Sequence, residues 1–125
     1  MKKILIEVDN IKVRAKLNDS TTAEKIWDLL PLEGKVNTWG DEIYFSIGAK
    51  IDLEQGASAV VSIGDLAYWP PGNAFCIFFG TTPASIGAEI RAASAVNIFG
   101  HIIGDYEAFK TVKPSTSIII TKITN

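Results

Sequence analysis

The chain has 125 residues, 47% of them apolar and 21% charged, and carries a formal net charge of −2. That is enough chain for one domain, residues 1–125, with an adequate core, and too little for two ordinary domains. The weak negative charge offers no basic field for nucleic acid, and no run approaches the roughly 20 apolar residues that span a bilayer, so neither partner is expected.

The N-terminal run "MKKILIEVDN" begins with two lysines, but its apolar part is too short for a secretory core and Glu7 and Asp9 interrupt it. Asp9-Asn10 is a tight-turn pair between "KKILIEV" and "IKVRAKL". In the second run Ile11, Val13, Ala15 and Leu17 alternate with Lys12, Arg14 and Lys16, the period of a strand with one wet face. "NDSTTAEKIWDLLP" predicts a helix. Ser20, Thr21 or Thr22 serves as N-cap, Glu24 lies in the first turn, and Pro31 stops the element. Ala23, Ile26, Trp27 and Leu30 share its apolar face.

Short β-branched and aromatic runs follow, "EGKVNTWG", "DEIYFSIG", "ASAVVSIG", "LAYWPP" and "AFCIFFG", punctuated by glycines. "TTPASIGAEIRAAS" reads as a loop, "AVNIFGHI" as a strand, "GDYEAFKTV" as a short helix and "STSIIITKI" as a terminal strand. About eight strands and two short helices in so small a chain predict a mainly β fold, a closed antiparallel eight-stranded barrel with two capping helices. The lone Cys76 forms no internal disulfide, and a cytoplasmic setting is the default expectation.

The order of these pieces resembles the cyclophilins. "STTAEKIWDLLP" is similar to their first capping helix, "GDLAYWPPGNAFCIFFG" to a strand, Gly/Asn-rich loop and Phe-rich strand, and "NIFGHIIGDYEAF" to the strand end leading into their second helix. The Trp-Pro-Pro-Gly and Phe-Phe-Gly elements look closer still to a group of small prokaryotic proteins known only as cyclophilin-like. True cyclophilins use an arginine after a Phe-His pair, and the resemblance implies that its guanidinium loosens a prolyl amide whose rotation barrier is roughly 18–20 kcal/mol. The matching stretch here is Tyr44-Phe45-Ser46, with serine in the arginine's place. The family's groove tryptophan and histidine have no counterpart before "NIFG".

What remains is apolar. Phe75, Ile77 and Phe79 share one face of their strand while Ala74, Cys76 and Phe78 share the other, and Tyr68 and Trp69 point to opposite sides. One face fills the barrel; the other is free to line a groove. The expected ligand site draws on both faces: Phe45, Trp69, Phe75 and Phe78 as walls, Arg91 as polar anchor and Ser46 marking the missing catalytic group. Asp41-Glu42 and Asp52/Glu54 read as solvated charge, His101 as a satisfied or partly exposed histidine and Cys76 as a small buried hydrophobe. No catalytic residue, metal or cofactor is expected. The role implied is a binding module for a peptide segment or small apolar ligand. The alternatives are an atypical prolyl isomerase using Arg91, and an assembly protein whose aromatic face is buried between subunits; the oligomeric state is left open.

Overall fold

A computed structural model describes residues 2–124. Ten strands form: β1 (Lys3–Val8), β2 (Ile11–Leu17), β3 (Leu32–Lys35), β4 (Asn37–Thr38), β5 (Glu42–Ser46), β6 (Ser58–Val61), β7 (Asp65–Trp69), β8 (Ala74–Phe78), β9 (Ile90–Ile103) and β10 (Ser117–Ile123). Helix α1 spans Thr21–Leu29, and short 3-10 helices cover Pro70–Gly72 and Tyr106–Thr111. All strand pairs are antiparallel.

The local elements follow the sequence chemistry. Asp9 adopts a left-handed φ of 57° in the β1–β2 turn, a conformation Asp tolerates. Val13, Ala15 and Leu17 are buried on β2 while Lys12, Arg14 and Lys16 are exposed. Ser20 caps α1, its hydroxyl accepting from the Ala23 N–H at 3.1 Å, and Ala23 and Ile26 are buried beneath. Lys2 and Lys122 lie over the half-buried Trp27 ring, 5.5 and 4.8 Å from its centre.

The hydrogen-bonded order is β3-β10-β1-β2-β9-β7-β8-β5-β4, with β6 added beside β9. Ten strands thus replace the eight expected, and the ladder is an open path that hydrogen bonds do not close. Its two end strands are consecutive in the chain, with only Val36 between them. The run read as one strand, "EGKVNTWG", is divided there, bonding first to β10 and then to β5. Strand β9 is also longer than expected. It starts at Ile90, inside the stretch read as loop, because β6 supplies a pairing partner for its first residues.

The main core lies on the inner face, where Ile4 and Ile120 from one end of the path meet Ile43 and Phe45 from the other, under α1 and Phe109. Phe75 packs against Phe45 at 5.4 Å and edge-on to Phe99 at 5.0 Å. A second cluster lies on the outer face of β5, β7 and β8, built from Ala67, Ala74, Cys76, Phe78 and Val96, with Tyr44 and Trp69 packed against it. The arm formed by β6 and the start of β9 covers that face. This second layer accounts for both faces of β8 being apolar.

Candidate functional site

Strand alternation places the side chains of the site. On the outer face, Glu42, Tyr44 and Ser46 of β5 stand opposite Phe78, Cys76 and Ala74 of β8, and Ala67 and Trp69 of β7 continue the row. Above them β9 bulges. Ser58 pairs with Val96 and Val60 with Arg91, so two steps along β6 oppose five along β9. The looped-out residues roof part of the face and leave a cavity of about 220 Å³ beside it. Its walls are Trp39, Tyr44 and Trp69, with Ala92 and Val96 from β9 and with Glu42.

Each wall is held by a local device. Trp39 sits in the β4–β5 turn, where its N–H donates to the Glu42 carbonyl at 2.9 Å, so ring and carboxylate share one tight turn. Trp69 lies against the Pro70–Gly72 turn so closely that a Cβ on Gly72 would meet ring atoms at 3.0 Å. Its indole N–H donates to Ser94 Oγ at 2.7 Å, tying ring to bulge. The "WPPG" stretch is thereby explained: it seats a tryptophan at the edge of a cavity.

Glu42 is the unusual member. It is 6% exposed, on an otherwise apolar surface. Burial raises its carboxyl from 4.5 to about 7, opposed by the nearby Cys76 thiol. Burial also pushes the Cys76 thiol well above 9.0, helped by the neighbouring Glu42 charge. The carboxyl is therefore the group of the cavity that changes charge near neutrality. Such a group in a cleft is a mark of functional sites.

The residues singled out from sequence divide. Trp69 lines the cavity. Phe78 lies on the same face, cross-strand from Glu42, and is fully covered behind the walls. Ser46 is on that face too, exposed at the far end of β5. Phe45 and Phe75 point the other way and stack in the main core. The Arg91 guanidinium is bound to Glu89, with Nε at 2.5 Å and Nη2 at 3.3 Å from its oxygens. Trp39 and Tyr44 carry no site assignment from the sequence, and Glu42, expected as solvated charge, is buried. The alternation in "DEIYFS" puts Glu42 in phase with Tyr44, but the cover that buries this face comes from β9.

Other polar groups serve the frame. Asn97 donates to Thr22 Oγ1 at 3.0 Å and to the Asp52 carbonyl at 2.9 Å, and accepts from the Glu54 N–H at 2.8 Å. Glu54 accepts from the Thr22 N–H at 3.1 Å, pinning the 49–57 loop to α1. The Tyr68 hydroxyl holds the same loop, accepting from the Ile51 N–H at 3.1 Å with the Ala49 carbonyl at 2.6 Å. Glu54 is thus engaged, not free in solvent as its sequence context suggested. His101 Nδ1 lies 3.0 Å from Asp65 Oδ1, on the surface over Gly64. A furrow of about 690 Å³ along β10 and β3 is larger than the aromatic cavity, but it is open to solvent and edged by Glu7, Asp9, Glu33 and Lys35. No helix is long and apolar enough to cross a membrane among the described residues.

A mainly β antiparallel sheet, wrapped around one core and carrying a second apolar layer outside it, defines the class. The particular family follows from comparison: the family model described as Cyclophilin-like matches residues 2–121, and the chain belongs to that family. The solution structure of a hypothetical protein from Archaeoglobus fulgidus is similar at 36% identity and a TM-score of 0.83, over 98% of this chain and 95% of that one. McbB, solved in complex with tryptophan, shares the fold at 16% identity and a TM-score of 0.73, over 98% of this chain and 46% of its own. No curated protein matches the chain.

Proposed function

We propose that the protein is a cyclophilin-like binding module whose outer-face cavity takes a small, largely apolar ligand or one side chain of a peptide. The observation carrying this is a cavity of about 220 Å³ lined by three aromatic residues and the buried Glu42. Sites for drug-sized molecules run to about 300–1,000 Å³, so this one suits something smaller. McbB, which is similar in fold over 46% of its length, was solved in complex with tryptophan. We take the open ladder as a barrel in working terms, since its two end strands, β3 and β4, are joined through Val36, and the unpaired, buried Cys76 suits a reducing cytoplasm.

The second reading, an atypical prolyl isomerase, needs a guanidinium beside the cavity. Arg91 is held by Glu89, and Arg14 is exposed on β2, away from the aromatic walls. A protease-coupled prolyl-peptide assay should show no turnover above the uncatalysed rate, and Arg91→Ala should change nothing. Turnover lost in that variant would establish the isomerase. Thermal-shift screening of small aromatic and aliphatic compounds tests the binding reading. Hits that vanish in Trp69→Ala support it, and hits that survive there refute it.

A further inference from the structure

The composition of the cavity narrows the ligand class, an inference that rests on the binding reading above. We propose that the cavity takes an alkylammonium group, with the Glu42 carboxylate as counter-ion and the rings of Trp39, Tyr44 and Trp69 around it.

The first argument is charge. Glu42 is 6% exposed, and none of the ion pairs among the described residues includes it. Near it is the weakly donating Cys76 thiol, whose hydrogen bond reaches the Ala74 carbonyl at 3.8 Å. Carboxylates are rarely buried without a cation, because desolvation is unfavourable unless an opposite charge offsets it. No lysine, arginine or histidine lines the cavity to supply that charge or to repel an incoming cation.

The second argument is the walls. Aromatic rings present negative faces and attract alkylammonium ions, more strongly where water is excluded. The ring pairs among the described residues are Phe45–Phe75, Phe75–Phe99 and Phe79–Phe109, all in the core. The three cavity rings therefore stand apart and leave space between them. Above about pH 7 an anion would meet a carboxylate there, and a neutral guest would leave that carboxylate uncompensated.

The third is pH. The titratable groups facing Glu42 are Tyr44 on its own strand and Cys76 on β8, with Asp41 next in sequence and packed against Gly80. From β7 come Ala67 and Trp69, and from β9 Ala92, Ala93 and Val96, none of them ionisable. With its carboxyl at about 7, cation affinity should rise roughly 10-fold between pH 6 and pH 8 as the carboxylate forms.

The test uses the full chain at pH 8, with calorimetric or fluorescence titration. Tetramethylammonium and n-butylammonium are set against tert-butanol and n-butanol. The expected result is binding of the cations, at least about 10-fold tighter than the alcohols, lost in Glu42→Gln and weakened in Trp69→Phe. A blocked lysine peptide separates the sources: binding tighter than n-butylammonium indicates a chain-borne amine, and weaker binding a free one, both within the proposal. Alcohols binding as well as the cations, unaffected by Glu42→Gln, would overturn the ammonium inference and leave the apolar binding reading standing. No binding of any probe, with both variants folded, would overturn both.

Discussion

Replacing Glu42 with glutamine should stabilise the protein at pH 8 and have little effect at pH 4.5. In the folded chain burial raises the carboxyl from 4.5 to about 7. Between those values the folded state keeps a proton that the unfolded chain has released. Stability therefore falls as pH rises through that interval and levels off above it. The loss is the difference in pKa times 1.36 kcal/mol, about 3 kcal/mol at pH 8. Glutamine keeps a neutral group of similar shape and does not titrate, so the variant escapes the loss. For a chain of this size the gain corresponds to roughly 10 °C in Tm. Urea unfolding followed by tryptophan fluorescence, under reducing conditions at four pH values from 4.5 to 8, measures it. Cys76 stays protonated throughout and does not confuse the comparison. A variant-minus-wild-type difference that is flat with pH, or largest at pH 4.5, would refute the reasoning.

Tyr68→Phe should cost about 1–3 kcal/mol, because the buried Ile51 N–H and Ala49 carbonyl lose their partner, with denaturant unfolding as the readout. Faster proteolysis in the 49–57 loop should accompany it; unchanged stability would show that the hydroxyl is not a fastener. Gly72→Ala should push the Trp69 ring off its seat, break the bond to Ser94, shift the indole emission and cost about 1–3 kcal/mol, and wild-type emission would count against the seating argument. Cys76 should react with a disulfide reagent only as fast as the protein opens, since burial keeps its thiol protonated, and rapid stoichiometric labelling of the native protein would contradict its placement.

Local pattern made much of the fold legible. The β1–β2 turn, the wet and dry faces of β2, the Ser20 cap and the two faces of β8 all depend on residues within a few positions of one another. The site depended on more. Glu42 occupies an outward position of β5, where a carboxylate ordinarily meets water. It is buried because β9 bulges across from another part of the chain, and no spacing within "DEIYFSIG" encodes that contact. Phe45 and Phe75 were misplaced for a related reason. A strand's alternation separates its two faces but does not say which turns inward, and the cross-strand match of Phe45 with Phe75 puts both inside. Arg91 was a reasonable anchor by position; its neighbour Glu89, two residues back, claims the guanidinium instead.

The chain contains three tryptophans, and they provide the most direct measurement. Trp39 and Trp69 wall the cavity, whereas Trp27 lies on α1 beneath Lys2 and Lys122. Their indole N–H resonances can be followed by NMR during titration with n-butylammonium at pH 8. If the cavity is the binding site, the Trp39 and Trp69 signals move together with one Kd while Trp27 stays still. Movement of Trp27 alone, or of none of the three, would contradict it.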